Sequence, residues 1–567
     1  MHEVYDYIVI GAGSAGCTLA ARLADSGPET IALLESGGSN LSAKVDVPMG
    51  LALTATRQGQ MNYGFRSVAQ PALGGRTIFT PRGKGVGGSS AINGMLYLRG
   101  APADYDGWAQ QGCEGWSWRE VLPYFRRAEC NERVAGSDDD PWHGGSGPLQ
   151  VVDQRSPGAF ARYFVEAAAA AGHCFNPDFN GEKLEGAGFY QVTQRDGERW
   201  GVARAYLHGG KAAQRGLNGG RSNLSVQPGT RTLRILFDGT RATGVLVWRE
   251  GKAVVLRARR EVILSAGVIG SPQLLMLSGI GPAAHLIEQG ITPLVDAPQV
   301  GQNLQEHVDI LLHRRLFSTD LVGTSLPGIV RLLWEMRRYR RHRTGMLTRV
   351  FTESGAFLKT ESGLADPDVQ LHFVMASAEP TGKPLLYLPH GYAIHVCVLR
   401  PHSRGSVRLA SKDAHDAPLI DLGLLSDERD LQTLEKGVHL VKRILDQPAL
   451  SRFGGKLLHF DHLKFDHSAA DQQALREVIR NKANTIFHSV GTCRMGADLL
   501  SVVDPQLRVR GVTGLRVVDA SIMPTIVRGN TNAPAIMIGE KAADLIRAAQ
   551  GPDVGPAFQA MHEKTLG

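Results

Sequence analysis

Cysteine is scarce in this 567-residue chain, and the six present (Cys17, Cys113, Cys130, Cys174, Cys397 and Cys493) never form a CxxC pair. Such spacing excludes a disulfide framework and a zinc ribbon, and leaves six reduced thiols packed mostly as small apolar side chains. No apolar stretch reaches the ~18 residues of a spanning helix. The acidic start Met1-His-Glu-Val-Tyr-Asp6 leads into an apolar run too short for a signal peptide. The expectation is a cytoplasmic protein. Zinc-finger spacing, RNP-type aromatic motifs and basic-zipper heptads are missing, so no nucleic-acid partner is expected. Internal repeats and low-complexity linkers are absent too. Charge excess is small, with 62 Lys+Arg against 55 Asp+Glu, a net +7. The segment Val330–Arg349 alone carries seven arginines (Arg331, Arg337, Arg338, Arg340, Arg341, Arg343 and Arg349), which equals that whole excess. The rest of the chain is close to neutral.

Glycine, by contrast, is abundant: 67 residues, well above the usual ~7%, as tight turns and close backbone approaches require. The first of them stand in a recognisable order. Tyr7-Ile-Val-Ile10 is a short buried-strand pattern, Gly11-Ala-Gly13-Ser14-Ala15-Gly16 follows at once, and Cys17–Ala24 has helical spacing. Ile31–Leu34 is a second buried strand, ending in Glu35. Gly11 allows the strand-to-helix turn, Gly13 lets a pyrophosphate approach the backbone, and Gly16 lets the helix pack on the strand. Ser14 and Ala15 open a helix whose free N–H groups and positive dipole end face phosphate. Glu35 would accept from ribose hydroxyls. This is a dinucleotide site, with NAD and FAD both open.

Three further segments narrow the choice. They are Pro81-Arg-Gly-Lys-Gly-Val-Gly87-Gly88-Ser89-Ser90-Ala-Ile92-Asn93-Gly94, then Gly267-Val-Ile-Gly-Ser271-Pro272 through Gly281, and Phe487-His488-Ser-Val-Gly-Thr-Cys493 with Val518-Asp519-Ala520 and Gly529-Asn530-Thr531-Asn532-Ala-Pro534. With the opening motif these resemble the glucose–methanol–choline (GMC) family of FAD-dependent oxidoreductases across nearly the whole chain, nearest to its choline dehydrogenase and bacterial alcohol dehydrogenase branch. The resemblance implies a Rossmann-like α/β FAD-binding domain from 1–154, 221–305 and 480–567. It also implies a discontinuous α+β substrate domain, built on an antiparallel sheet, from 155–220 and 306–479. It places Gly87, Gly88, Ser89, Asn93 and Gly94 along the flavin. Asp519 and Ala520 fall at its pyrophosphate or ribityl end, and Asn530 and Thr531 at the start of the last helix. Ile92 stands where some members carry a flavin-linking histidine, so FAD is expected without a covalent bond.

Alcohol oxidation by hydride transfer needs a base for the hydroxyl proton, and histidine titrates in the right range. Among 19 histidines, His488 matches the family's catalytic position, and Asn532 is taken as the second residue, orienting the substrate oxygen. Glu353 matches an acid that choline-active members set against a trimethylammonium group; a solvated glutamate is the alternative. No metal is expected. The implied reaction is oxidation of a primary aliphatic or choline-like alcohol, with electrons passed to a quinone or another acceptor than O2. An O2-using alcohol oxidase and a choline dehydrogenase proper stay open. Leu399 before Arg400-Pro401, where the family's photodecarboxylases carry cysteine, argues against that branch. For 330–349 two readings stand: a surface helix with a partly buried stripe, or peripheral docking on anionic lipid of the inner membrane.

Overall fold

The residues Tyr7–Ile10 are buried on both faces, the condition of a strand inside a parallel sheet. In the computed structural model, which describes residues 3–56, 58–209, 216–377 and 388–549, strand Glu3–Ile10 lies between Ile31–Leu34 and Lys252–Leu264, parallel to both. Leu224–Gln227 extends the sheet beyond Ile31–Leu34, and Leu515–Val517 pairs with the end of Lys252–Leu264, again in parallel. Arg231–Asp238 and Arg241–Arg249 add an antiparallel meander on the first half of the long strand. Helices Ser14–Ala24 and Asn532–Ala548 pack closely on each other. A Cβ on Gly539 would sit 2.6 Å from the carbonyl oxygen of Ala15, so only glycine permits this approach.

A second, antiparallel sheet runs in the order Lys456–Leu458, Val308–Arg315, Gly391–Val398, Val369–Val374, Thr352–Leu358 and Gly186–Phe189. Its core is separate from that of the first sheet. The fold is therefore α/β, with a Rossmann-like unit and a discontinuous α+β unit on an antiparallel sheet.

Two details differ from the sequence expectation. Asn484–Thr485, past the boundary placed at 479/480, pairs with Val308–Asp309 of the antiparallel sheet. Ser406–Arg408, inside the segment expected to build the antiparallel sheet, pairs as a strand with Leu419–Asp421 in a separate ribbon. Residues 1–2 and 550–567, the outer ends of the expected FAD-binding segments, lie outside the described residues.

Candidate active site

A cavity of about 1730 Å³ runs from the opening glycine turn to the antiparallel sheet. That exceeds the ~300–1,000 Å³ of a single small-ligand pocket, leaving room for a dinucleotide and a substrate in line. At its first end Gly11 takes φ +102°, and a Cβ there would lie 2.4 Å from the Ser265 carbonyl oxygen. Gly16 is equally constrained: its Cβ would meet the Gly11 carbonyl at 1.9 Å. Gly13 is different. Its Cβ would meet nothing within 4 Å because that side faces the cavity, where a pyrophosphate would lie. Gly88 presses against this turn, with a would-be Cβ 2.7 Å from Gly13 Cα. Ser89, Asn93, Gly94, Asp519, Ala520, Asn530 and Thr531 continue the wall, together with Ser14, Ala15 and Glu35. Gly16 and Gly87 stand behind it, where they shape the turns. The cradle fits FAD.

At the other end stands His488. The preceding Phe487 holds φ +74°, a left-handed conformation that a bulky residue rarely adopts and that clusters at functional sites. Three contacts fix it. Phe487 N–H donates to Thr485 Oγ1 (2.9 Å), Arg82 donates to the Phe487 carbonyl (3.1 Å), and His488 N–H donates to Glu306 Oε1 (2.7 Å). The imidazole then has two partners: His307 Nδ1 lies 3.1 Å from its Nδ1, and Asn530 Nδ2 lies 3.0 Å from its Nε2. Gln370 donates to Asn530 Oδ1 at 3.4 Å, which turns the amide N–H toward His488. The network thus assigns a neutral His488 whose Nε2 accepts from the Asn530 amide at the cavity wall and whose Nδ1–H donates to His307. Burial, reinforced by nearby histidines and Arg82, holds the His488 pKa well below the ordinary histidine value.

Two more histidines line this end. His372 and His395 sit directly opposite each other across their strand pair. His395 Nδ1 is 2.7 Å from Asp309 Oδ2, which fixes its ring. Burial pushes His372 and His307 down to about 3. Among the described residues no group of His, Cys, Asp or Glu is placed to hold a metal ion.

Models of the GMC oxidoreductase family match residues 5–309 and 401–539. The chain belongs to that family. Its relatives include an alcohol dehydrogenase [acceptor] of Pseudomonas putida, 41% identical over 96% of both chains. An oxygen-dependent choline dehydrogenase of Brucella suis is 38% identical over 98% of this chain and 99% of its own. Pyridoxine 4-oxidase from Mesorbium loti superposes with a TM-score of 0.82 at 29% identity, covering 96% of this chain and 99% of its own. Formate oxidase of Aspergillus oryzae, at 24% identity, TM-score 0.86 and 97% and 99% coverage, shares the fold. GMC oxidoreductases bind FAD, so this chain is a flavin enzyme by family as well as by the shape of its cradle.

Within the GMC frame, several residues stand differently from the sequence expectation. Asn532 does not face His488. It begins the last helix, and its Oδ1 accepts from Ser14 Oγ at 2.7 Å; the asparagine beside His488 is Asn530, one step before the N-cap Thr531. Glu353 is not on the cavity wall. Side chains alternate along a strand, so its neighbour Thr352 faces the cavity while Glu353 points the other way. There it accepts from Gly158 N–H (2.9 Å) and faces Arg349 at 3.7 Å; burial pushes its carboxyl up to about 7. Glu35 and Asp519 do reach the wall, yet both are already engaged. Glu35 accepts from the N–H groups of Ala12 (3.1 Å), Gly37 (2.8 Å) and Gly85 (3.0 Å). Asp519 accepts from Gly267 N–H (2.9 Å), Ser271 Oγ (2.6 Å) and Ser521 N–H (2.8 Å). Their carboxylates brace the loops around the cofactor.

The sequence reading missed Arg82, Glu306, His307, His372 and His395. A strand parity count would have put His372 and His395 on one sheet face, but only the pairing register makes them neighbours.

Among the described residues, no helix is long and apolar enough to cross a membrane.

Proposed function

We propose that this GMC oxidoreductase oxidises a neutral primary aliphatic alcohol to the aldehyde. His488 Nε2 takes the hydroxyl proton, and Asn530 Nδ2 holds the oxygen as it becomes negative. FAD, held without a covalent bond beside Ile92, supplies the hydride acceptor. The observation that carries this reading is the neutral His488 with Nε2 and the Asn530 amide together at the cavity wall. His307 receives Nδ1–H and so keeps the basic nitrogen turned to substrate. Arg82 and Glu306 hold the carbonyl and the N–H of the Phe487–His488 peptide that leads into the ring, and act as positioning residues.

A neutral substrate is favoured by what lines that end. The carboxylates on the described wall are Glu35, Asp416 and Asp519; none comes from the antiparallel sheet or from 322–352. The apolar residues there are Val322, Leu332, Met336, Leu347, Phe351 and Val374, which suit an alkyl chain, and the charged ones, Arg340 and Arg343, are cations. A trimethylammonium group would find no anion, so choline fits less well.

Electrons then pass to a quinone or similar acceptor, as the bracketed acceptor in the name of the Pseudomonas putida relative suggests, with peripheral membrane contact through 330–349. The oxygen-dependent relatives keep an O2-using version as the second reading. Anaerobic mixing of the holoenzyme with octanol or choline tests the substrate. The flavin colour should bleach with octanol, and His488→Ala should slow bleaching by about 10²–10⁴, the usual value of a general base. Faster bleaching by choline, or a His488→Ala loss below tenfold, would overturn the reading. Re-oxidation by quinone against O2 decides the acceptor.

A further inference from the structure

The arginine-rich segment forms a helix, Leu326–His342, started by Ser325, whose Oγ accepts from Gly328 N–H at 3.2 Å. Of its 17 residues only Glu335 and Tyr339 are buried. Leu326, Ile329, Val330, Leu333 and Trp334 recur at helical spacing on one face; Leu326 is 77% exposed, Leu333 61% and Trp334 58%. Phe317 enlarges the patch through its ring contact with His390, which bonds Ser325. Arg337 and Arg341, both exposed, continue this face toward the C-terminus, and Arg338 lies over the Trp334 ring at 5.6 Å. Among the described residues no carboxylate pairs with Arg337, Arg340 or Arg341. On the adjacent face, Leu332, Met336 and Tyr339 line the substrate end of the cavity. One helix is thus both the wall of the entrance and the most apolar exposed surface nearby.

Contiguous exposed apolar side chains bordered by charge mark an interaction surface. A second copy of the chain, packed by a two-fold axis, would set the arginine end against itself in a parallel pair or against the apolar end in an antiparallel one, and neither gives the guanidinium groups an anion. An apolar half, a tryptophan at the boundary and a cationic half match instead a helix lying in an anionic lipid surface, with rings at the headgroup level and guanidinium groups on the phosphates. We infer that Leu326–His342 inserts its apolar face into an anionic phospholipid leaflet and opens the cavity to it, so that the alcohol enters from lipid. The lipid route deepens the proposed function, because it rests on an alkyl alcohol as substrate; docking itself does not.

The test uses the holoenzyme with vesicles of phosphatidylcholine, alone or mixed with phosphatidylglycerol. It should pellet with the mixed vesicles only, and high salt should release it. Arg337→Gln with Arg341→Gln should weaken binding roughly thirtyfold, from about fivefold per arginine. Val330→Asn with Leu333→Asn should abolish binding. Both variants should oxidise butanol in solution at the wild-type rate, since none of the four residues lines the cavity. With dodecanol embedded in mixed vesicles, the apolar variant should be at least tenfold slower than wild type. Equal pelleting with both vesicle types, equal turnover of vesicle-borne dodecanol, or a dimer that shields Val330 and Leu333 would each overturn the inference. A wild type that binds mixed vesicles but leaves butanol untouched would instead refute the proposed function.

Discussion

Replacing Asn530 and Asn532 one at a time separates the asparagine beside His488 from the one bonded to Ser14. Asn530→Ala removes the N–H that lies 3.0 Å from His488 Nε2 and frees Gln370 from its 3.4 Å bond to Oδ1. If that N–H holds the substrate oxygen while charge builds on it, its loss should cost about 2.7–4 kcal/mol of transition-state stabilisation, or ~10²–10³ in rate. Asn532→Ala removes a bond of 2.7 Å from Ser14 Oγ, worth about 0.5–1.5 kcal/mol. It should loosen FAD about tenfold at most and leave chemistry nearly intact. Anaerobic stopped-flow bleaching at saturating alcohol measures the first effect, and flavin retention on gel filtration the second. Asn530→Asp adds a sign test. A carboxylate beside Nε2 favours the imidazolium and raises the His488 pKa, so the rate should climb with pH through the neutral range, where the wild type is flat. The reasoning fails if Asn532→Ala slows bleaching more than Asn530→Ala, or if Asn530→Asp leaves the pH profile unmoved.

Other expectations follow from the buried titrating groups. His307 and His372 sit at about 3 and His488 well below its ordinary value, so the folded state binds fewer protons than the unfolded one below pH ~6.5. Stability should therefore fall as pH drops through that value. Melting temperatures that stay level between pH ~7 and ~5 would contradict this. Glu353 behaves in the opposite sense: with a folded pKa of about 7 against ~4.3 unfolded, it costs stability increasingly as pH rises between those values. Glu353→Gln should stabilise the protein most at alkaline pH and leave the ratio of octanol to choline turnover unchanged; a changed ratio would put Glu353 in the substrate site after all.

The glycine turn, the strand before it and the acid after it were legible in the chain because a dinucleotide site is built from consecutive residues with fixed backbone demands. Gly11, Gly13 and Gly16 each carry a local steric requirement that no distant contact can supply. The arginine-rich helix was visible for the same reason, since its periodicity is its own. What surrounds His488 was not. His307, His372, His395 and Asn530 come from four separate strands and loops, and only sheet register and the left-handed Phe487 bring them together. Which of two asparagines faces the histidine depends on how the last helix begins: Asn532 is turned to Ser14 of the first helix and Asn530 to His488. Glu353 shows the same limit: one step along a strand turns a side chain from the cavity to the far face, and the strand's orientation belongs to the sheet.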